Sequence, residues 1–323
     1  MIIKIDQSKN VLVRIGFIGC HEISWFCLKK ICQCSIKYGD KVMLAFDLEQ
    51  EKAIKYSASV SLDNLSKEYR FQLVHVANVA NSDSVDLLKK ANLDILFIIG
   101  WHRIVPQEVL DVAKIRLGIH SSILPKDRGT SPINWQLIRG EKEGGVTLFH
   151  LTTGVDEGNI VDYLKYEILE SDDVRDVYFK AIHGTIQLLE NNWNYIHNLQ
   201  IKSIPQDNSK GTINERRKPE DGLIDWNKTS KQCYDWIRAL THPYPGAFTY
   251  WNRKKVLIWK SRISSEKETR PGQILNCNDR LVISTSSGSI ELLKLQVENE
   301  PLCDANIFSL TYELNKNEFF SSH

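Results

Sequence analysis

Apolar and polar positions along the first half of the chain keep two alternating rhythms. Val11–Cys20 is a nearly continuous apolar run closing on Gly16 and Gly19, the form of a strand buried on both faces and followed by a tight turn. In Ile23–Ile36 the rhythm changes: Trp25, Phe26, Leu28, Ile31 and Cys32 recur at helical spacing, and Gly39 lies just past the end as a helix stop. Lys41–Leu48, Phe71–Val76 and Leu93–Gly100 read as further strands, separated by polar or helical stretches such as Asp83–Lys90. Strands alternating with helices predict an α/β fold, a Rossmann-like doubly wound and mostly parallel sheet.

Beyond Gly100 the pattern predicts a short helix over Pro106–Ala113, a strand over Arg116–His120 and a helix beginning near Pro132. Two strands, Gly145–Leu151 and Ile160–Glu167, flank a turn over Thr152–Asn159. From Ser171 a long helix follows the i, i+3, i+4, i+7 rule through Val174, Val177, Ala181, Ile182 and Leu188, with Asp172 and Asp173 at its positive end. The polar stretch around Gln206–Asp221 marks a linker, taken as 205–221, after a first domain over 1–204. Thr229 then caps a helix carrying Cys233, Trp236, Ile237 and Leu240 on one face, and His242–Gly246 stops it. Short strands at Ala247–Tyr250, Val256–Trp259, Gly272–Leu275, Leu281–Thr285 and Ile290–Leu295 predict a small α+β or β-barrel-like domain over 222–300. Residues 301–323 read as a loosely ordered tail.

Composition narrows the class. The 323 residues are 42% hydrophobic and 25% charged, which is ordinary for a folded globular protein. A net charge of +1 supplies no global field for a polyanion, so a nucleic-acid partner is not expected. Lys4, Asp6, Lys9 and Arg14 interrupt the first apolar positions, which leaves neither an export signal nor a membrane span and favours a cytoplasmic location without membrane partners. The seven cysteines are odd in number and contain no C-x-x-C pair among Cys20, Cys27, Cys32 and Cys34, so they read as reduced thiols.

Ligands gather at the carboxyl ends of strands in open α/β sheets, which points first to His120. Asp156, in the turn Thr153-Gly154-Val155-Asp156-Glu157-Gly158, can reach the same rim. Two other readings start from the same residues. A metal hydrolase using His120, His150 and Asp156 needs a further firm ligand, and a nucleotide-binding module built on Gly16 and Gly19 lacks the full G-x-G-x-x-G pattern.

The wider run is more specific. It comprises Gly118-Ile119-His120-Ser121-Ser122-Ile123-Leu124-Pro125, then Arg128-Gly129, then Pro132-Ile133-Asn134-Trp135, and a Gly154-Val155-Asp156 turn 36 positions after His120. It resembles the 10-formyltetrahydrofolate-dependent formyltransferases. Arg216-Arg217-Lys218-Pro219-Glu220-Asp221, Ile224-Asp225-Trp226 and Pro243-Tyr244-Pro245-Gly246-Ala247-Phe248 extend the resemblance into the second domain. Pro132–Trp135 and Pro245–Phe248 look most like the sugar N-formyltransferases, which modify a nucleotide-linked amino-sugar, and the methionyl-tRNA formyltransferases are similar too.

The resemblance implies a formyl group carried from 10-formyltetrahydrofolate to the amine of a nucleotide-linked amino-deoxy-sugar, with no metal, in the tailoring of a surface-glycan precursor. It also implies a homodimer. An amine attacks a formyl carbonyl only with a free lone pair, so a base must take a proton as the C–N bond forms. Imidazole, near pKa 6.5, suits that task and is worth about 10²–10⁴-fold. His120 is the expected base, with Asp156 orienting it and stabilising its imidazolium. Trp101, His102, Arg103 and Ile104, with Leu124, Gly154 and Asp156, are expected to hold the folate; Ser122, Arg128, Gly129, Thr130, Asn134, Trp135 and Tyr244 are expected at the acceptor. One position departs from the family: Gly118 stands where an oxyanion-binding Asn is usual. Backbone approached through Gly118, or the side chains of His102 or Asn134, are the candidate substitutes. The alternatives kept open are methionyl-tRNA as acceptor, and a weak or inactive protein that binds nucleotide-sugar and folate.

Overall fold

The apolar runs become strands in a computed structural model that describes residues 12–53 and 56–321. Val11, the earlier positions read against an export signal, and the last two residues of the expected tail lie outside these. Two compact units form. The first contains the described residues through Arg128, Gly145–Tyr166 and Lys180–Ile213; the second contains Gly129–Gly144, Glu167–Phe179 and the chain from Asn214 onward.

In the first unit, seven strands make one sheet: β1 (Arg14–Ile18), β2 (Lys41–Leu48), β3 (Gln72–Val76), β4 (Leu93–Ile98), β5 (Ala113–His120), β6 (Glu143–His150) and β7 (Ile160–Glu167). Their order is β3-β2-β1-β4-β5-β6-β7. The first five pair in parallel, and β6 runs antiparallel to β5 with Thr147 opposite His120. The α/β, mostly parallel sheet expected from the pattern is therefore present. Phe17, Phe46 and Phe97, fully buried, line its interior, and Trp193 of helix Val174–His197 stacks on Phe97 at 6.3 Å. Helix Glu22–Tyr38 ends on Gly39, whose φ of +79° is the left-handed conformation that glycine adopts without steric cost. Strand order reverses between β1 and β4, so the crevice at their carboxyl ends is the natural ligand position of such a sheet.

The second unit builds on helix Ser230–Leu240, capped by Thr229 as the pattern predicted, with Gln232 completing a capping box. Helix Pro132–Ile138 packs with it: Asn134 Nδ2 donates to the Ala239 carbonyl at 2.7 Å. Arg238 Nη1 donates to the carbonyls of Leu169 (3.0 Å) and Asp172 (2.7 Å). These bonds draw 129–144 and 167–179 into the second unit, so the division interleaves along the sequence rather than falling at one polar linker.

Strands β8 (Ala247–Trp251), β9 (Lys254–Ser264), β10 (Ile274–Asn276), β11 (Leu281–Ser284) and β12 (Ser289–Val297) form an antiparallel sheet in the order β8-β9-β12-β11-β10. The chain beyond Pro301, expected to be loose, belongs to this fold. Cys303–Asp304 pairs with β12, and Phe308 and Phe320 are buried, with Phe308 edge-on to Trp251 at 6.1 Å. All seven cysteines are free thiols. No helix among the described residues is long and apolar enough to cross a membrane.

Candidate active site

His120 ends β5 with its side chain only 8% exposed. The chain then doubles back through a loop that closes on itself. Ser122 Oγ donates to the Lys126 carbonyl (2.6 Å), Thr147 Oγ1 donates to the Ser122 carbonyl (2.7 Å), and the Leu124 amide donates to Thr147 Oγ1 (3.1 Å). This closure returns Asp127 to the ring, where its main-chain carbonyl accepts from His120 Nε2 at 2.6 Å. A carbonyl only accepts, so Nε2 carries a hydrogen, and the neutral ring keeps its lone pair on Nδ1.

Asp156 faces that second nitrogen, with Oδ2 at 3.5 Å from Nδ1. Its side chain is 24% exposed, so the pair has one member sealed and one at the rim. Asp127 and Asp156 both adopt left-handed backbone, φ +58° and +50°, which short polar side chains tolerate better than most. The turn carrying Asp156 is tight, since a Cβ on Gly158 would lie 1.7 Å from the His150 carbonyl oxygen. Two acceptors, a lone pair and a carboxylate, thus face one small gap suited to an N–H or a transferred proton. The Asp127 carbonyl holds the ring from Nε2, so the main chain shares the orienting of His120 with the carboxylate expected from the sequence.

Several expected site residues are placed differently from the sequence reading. The space where a Gly118 side chain would sit is filled: a Cβ there would lie 2.7 Å from Leu151 Cδ2 and 3.2 Å from Phe149 Cε1. Asn134, in the second unit, spends its amide nitrogen on Ala239. Ser122 is fully buried and bonded within its own loop, and Leu124 sits in an apolar cluster with Phe149 and Ile160. Arg128 is buried, its guanidinium turned inward on Gln206 and Asn208 rather than outward toward an anion.

At the end of β4, Trp101 is half-buried while Arg103 and Ile104 are exposed, Ile104 at 76%. His102 lies between the rings of Tyr56 (4.3 Å) and Trp101 (4.8 Å), and its buried Nε2 has no hydrogen-bond partner. Its burial first, then Arg103 and His21, push its pKa down to about 4. Gly154 abuts the Glu157 side chain within the turn. Thr130 Oγ1 and Trp135 Nε1 both donate to the Glu215 carbonyl in the second unit, close to Gly129, and burial pushes the Tyr244 phenol up to about 12.

Two contributors carry no sequence signal. One is the Asp127 carbonyl, a main-chain atom. The other is Gln206, whose Nε2 donates to the carbonyls of Asp156 (2.8 Å) and Gly158 (2.7 Å). It lies in a stretch whose polar composition reads as linker.

Comparison with known proteins identifies the family. Residues 44–189 match the formyl transferase family, and residues 216–312 match the formyl transferase C-terminal domain. The bifunctional polymyxin resistance protein ArnA of Wigglesworthia glossinidia brevipalpis is 36% identical over 277 residues, 85% of this chain. The chain spans only 42% of that relative's length. Among solved structures, the N-formyltransferase of Helicobacter canadensis in complex with folinic acid and dTDP-3-aminofucose superimposes with a TM-score of 0.67 at 21% identity, covering 87% of this chain and 99% of the other. WlaRD, a sugar 3N-formyl transferase solved with dTDP and 5-N-formyl-THF, gives 0.64 at 22% identity over 90% of this chain and 100% of that one.

Proposed function

Because this chain belongs to the formyl transferase family, we propose that it transfers the formyl group of 10-formyltetrahydrofolate to the amine of a nucleotide-linked amino-deoxy-sugar, with His120 taking the proton beside Asp156. The observation that carries this reading is the Nδ1 lone pair left facing the Asp156 carboxylate by the Asp127 carbonyl on Nε2. As the amine nitrogen bonds to the formyl carbon, the carbonyl π pair moves to oxygen and the nitrogen must shed a proton. Nδ1 accepts it, and the imidazolium then lies between the Asp127 carbonyl and the Asp156 carboxylate. When the tetrahedral species collapses, the bond from the formyl carbon to the folate nitrogen breaks, and that nitrogen recovers a proton from the imidazolium.

The donor's chemistry suits the end of β4. Exposed Ile104 and half-buried Trp101 offer apolar surface to a flat heterocycle, and exposed Arg103 offers a cation to a carboxylate tail. The amino-sugar class rests on the Pro132–Trp135 and Pro245–Phe248 motifs and on the dTDP-3-aminofucose named with the Helicobacter structure.

The test mixes the protein with 10-formyltetrahydrofolate and a panel of nucleotide-linked amino-sugars and follows tetrahydrofolate release. Release dependent on one such acceptor is the expected result. Release with methionyl-tRNA alone would reject the sugar acceptor, and donor binding without release to any amine would identify an inactive member.

A further inference from the structure

We propose that Gln206 is a positioning residue that sets the distance between His120 and Asp156, a reading that rests on the function proposed above. Its carboxamide is used at both ends. Nε2 donates to the carbonyls of Asp156 and Gly158, at 2.8 and 2.7 Å, and so grips the catalytic turn on both sides of Glu157. Oε1 accepts from Arg128 Nε at 3.1 Å and Nη2 at 2.6 Å, and Nη2 also reaches Asn208 Oδ1 at 2.8 Å.

Arg128 directly follows Asp127, whose carbonyl holds the His120 ring. The Asp127 amide donates to Thr212 Oγ1 (2.8 Å) and the Arg128 amide to the Thr212 carbonyl (2.9 Å). A closed circuit results: ring, Asp127 carbonyl, Arg128, Gln206, turn, Asp156 carboxylate. Each link is a hydrogen bond or a peptide, apart from the 3.5 Å separation between Nδ1 and Oδ2, which sets how closely the carboxylate faces the proton-accepting nitrogen.

The turn needs this grip. Asp156 holds a left-handed backbone and a partly exposed side chain, so loss of the two Gln206 bonds loosens the main chain on both sides of Glu157 and shifts the carboxylate. Misplacement of a reacting group by about 1 Å costs on the order of 10²-fold in rate. Arg128, expected from the sequence to meet a substrate anion, accordingly acts through Gln206.

The experiment compares wild type with Gln206→Leu, which removes every bond, and Gln206→Glu, which keeps an acceptor for Arg128 but has no N–H for the turn. Both are expected to lower kcat roughly 10–100-fold while KM for donor and acceptor stays within about twofold. Gln206→Glu decides the matter if Gln206→Leu does not fold. A kcat within about twofold of wild type in a folded variant overturns the proposal, as does a loss confined to KM. Should wild type transfer no formyl group, the functional reading fails separately. The brace is then judged by amide exchange over residues 152–159: faster exchange in the folded variant supports it, and unchanged exchange overturns it.

Discussion

The adjacent strands β4 and β5 each lead into a histidine at the carboxyl edge of the same sheet, and the two rings have opposite surroundings. His120 has an acceptor at each nitrogen, a main-chain carbonyl on Nε2 and a carboxylate facing Nδ1. His102 has aromatic rings on its flanks, a buried Nε2 without a partner, and Cys20 Sγ at 3.8 Å from Nδ1. Burial pushes the Cys20 thiol up to about 12, so the neighbour of His102 is itself uncharged at neutral pH. Oxygen atoms face the ring at the end of β5, whereas burial without them disfavours an imidazolium at the end of β4. His120 is the last residue of β5 and His102 lies four residues past the end of β4; what divides their surroundings is the supply of proton-accepting oxygens.

The sharpest way to break this contrast is to remove each ring in turn. His120→Asn should lower turnover by about 10²–10⁴-fold with donor affinity nearly unchanged, measured by single-turnover formyl transfer and folate titration. His102→Gln should lose far less. Equal losses from the two variants would mean that the accepting oxygens do not set the roles. A smaller effect is expected two residues before His120. Gly118→Asn restores the family's usual side chain but drives it into Leu151, so it should cost roughly 1–3 kcal/mol in urea unfolding and raise no activity. Relief by Leu151→Ala in the same chain would locate the strain, whereas an unchanged midpoint would show that the space is open after all.

Much of this is legible in the sequence. Periodicity located the strands and the two well-capped helices, because Gly39 and Thr229 act on their own neighbours and need no distant partner. His120 and Asp156 were legible for a related reason: one ends a recognisable strand, the other sits in a recognisable turn, and their spacing matches a family pattern. The interleaved units were not legible, because they depend on Arg238 and Asn134 bonding to main-chain carbonyls, and every residue type presents a carbonyl. The same holds for the Asp127 carbonyl and for Gln206, whose targets are again main-chain oxygens. A loop arginine in a motif suggests a ligand, and no local signal announces that Arg128 is buried against Gln206 and Asn208, roughly eighty positions away. The tail was misread because Phe308 and Phe320 are widely spaced, and their pairing with Trp251 and Trp226 has no local pattern.

The mildest test of the contrast is thermodynamic and needs no substrate. In the folded chain His102 titrates near 4, below its ordinary 6.5, because burial and Arg103 disfavour its charged form. Well above pH 6.5 the ring is neutral whether folded or unfolded, and it contributes no pH dependence. Between 6.5 and 4 the unfolded chain takes up a proton that the folded chain refuses, so stability falls as pH falls, and the fall levels off below 4. His21 and His150, whose pKa values are also lowered by burial, act in the same direction. Urea midpoints of wild type and His102→Gln, compared at pH 7.5 and pH 5, isolate the one ring: wild type should lose more stability than the variant over that interval. Parallel losses would mean that His102 takes up its proton in the folded state. The strand end at β4 would then tolerate an imidazolium without oxygen partners, and the difference between the two histidines would have to come from something else.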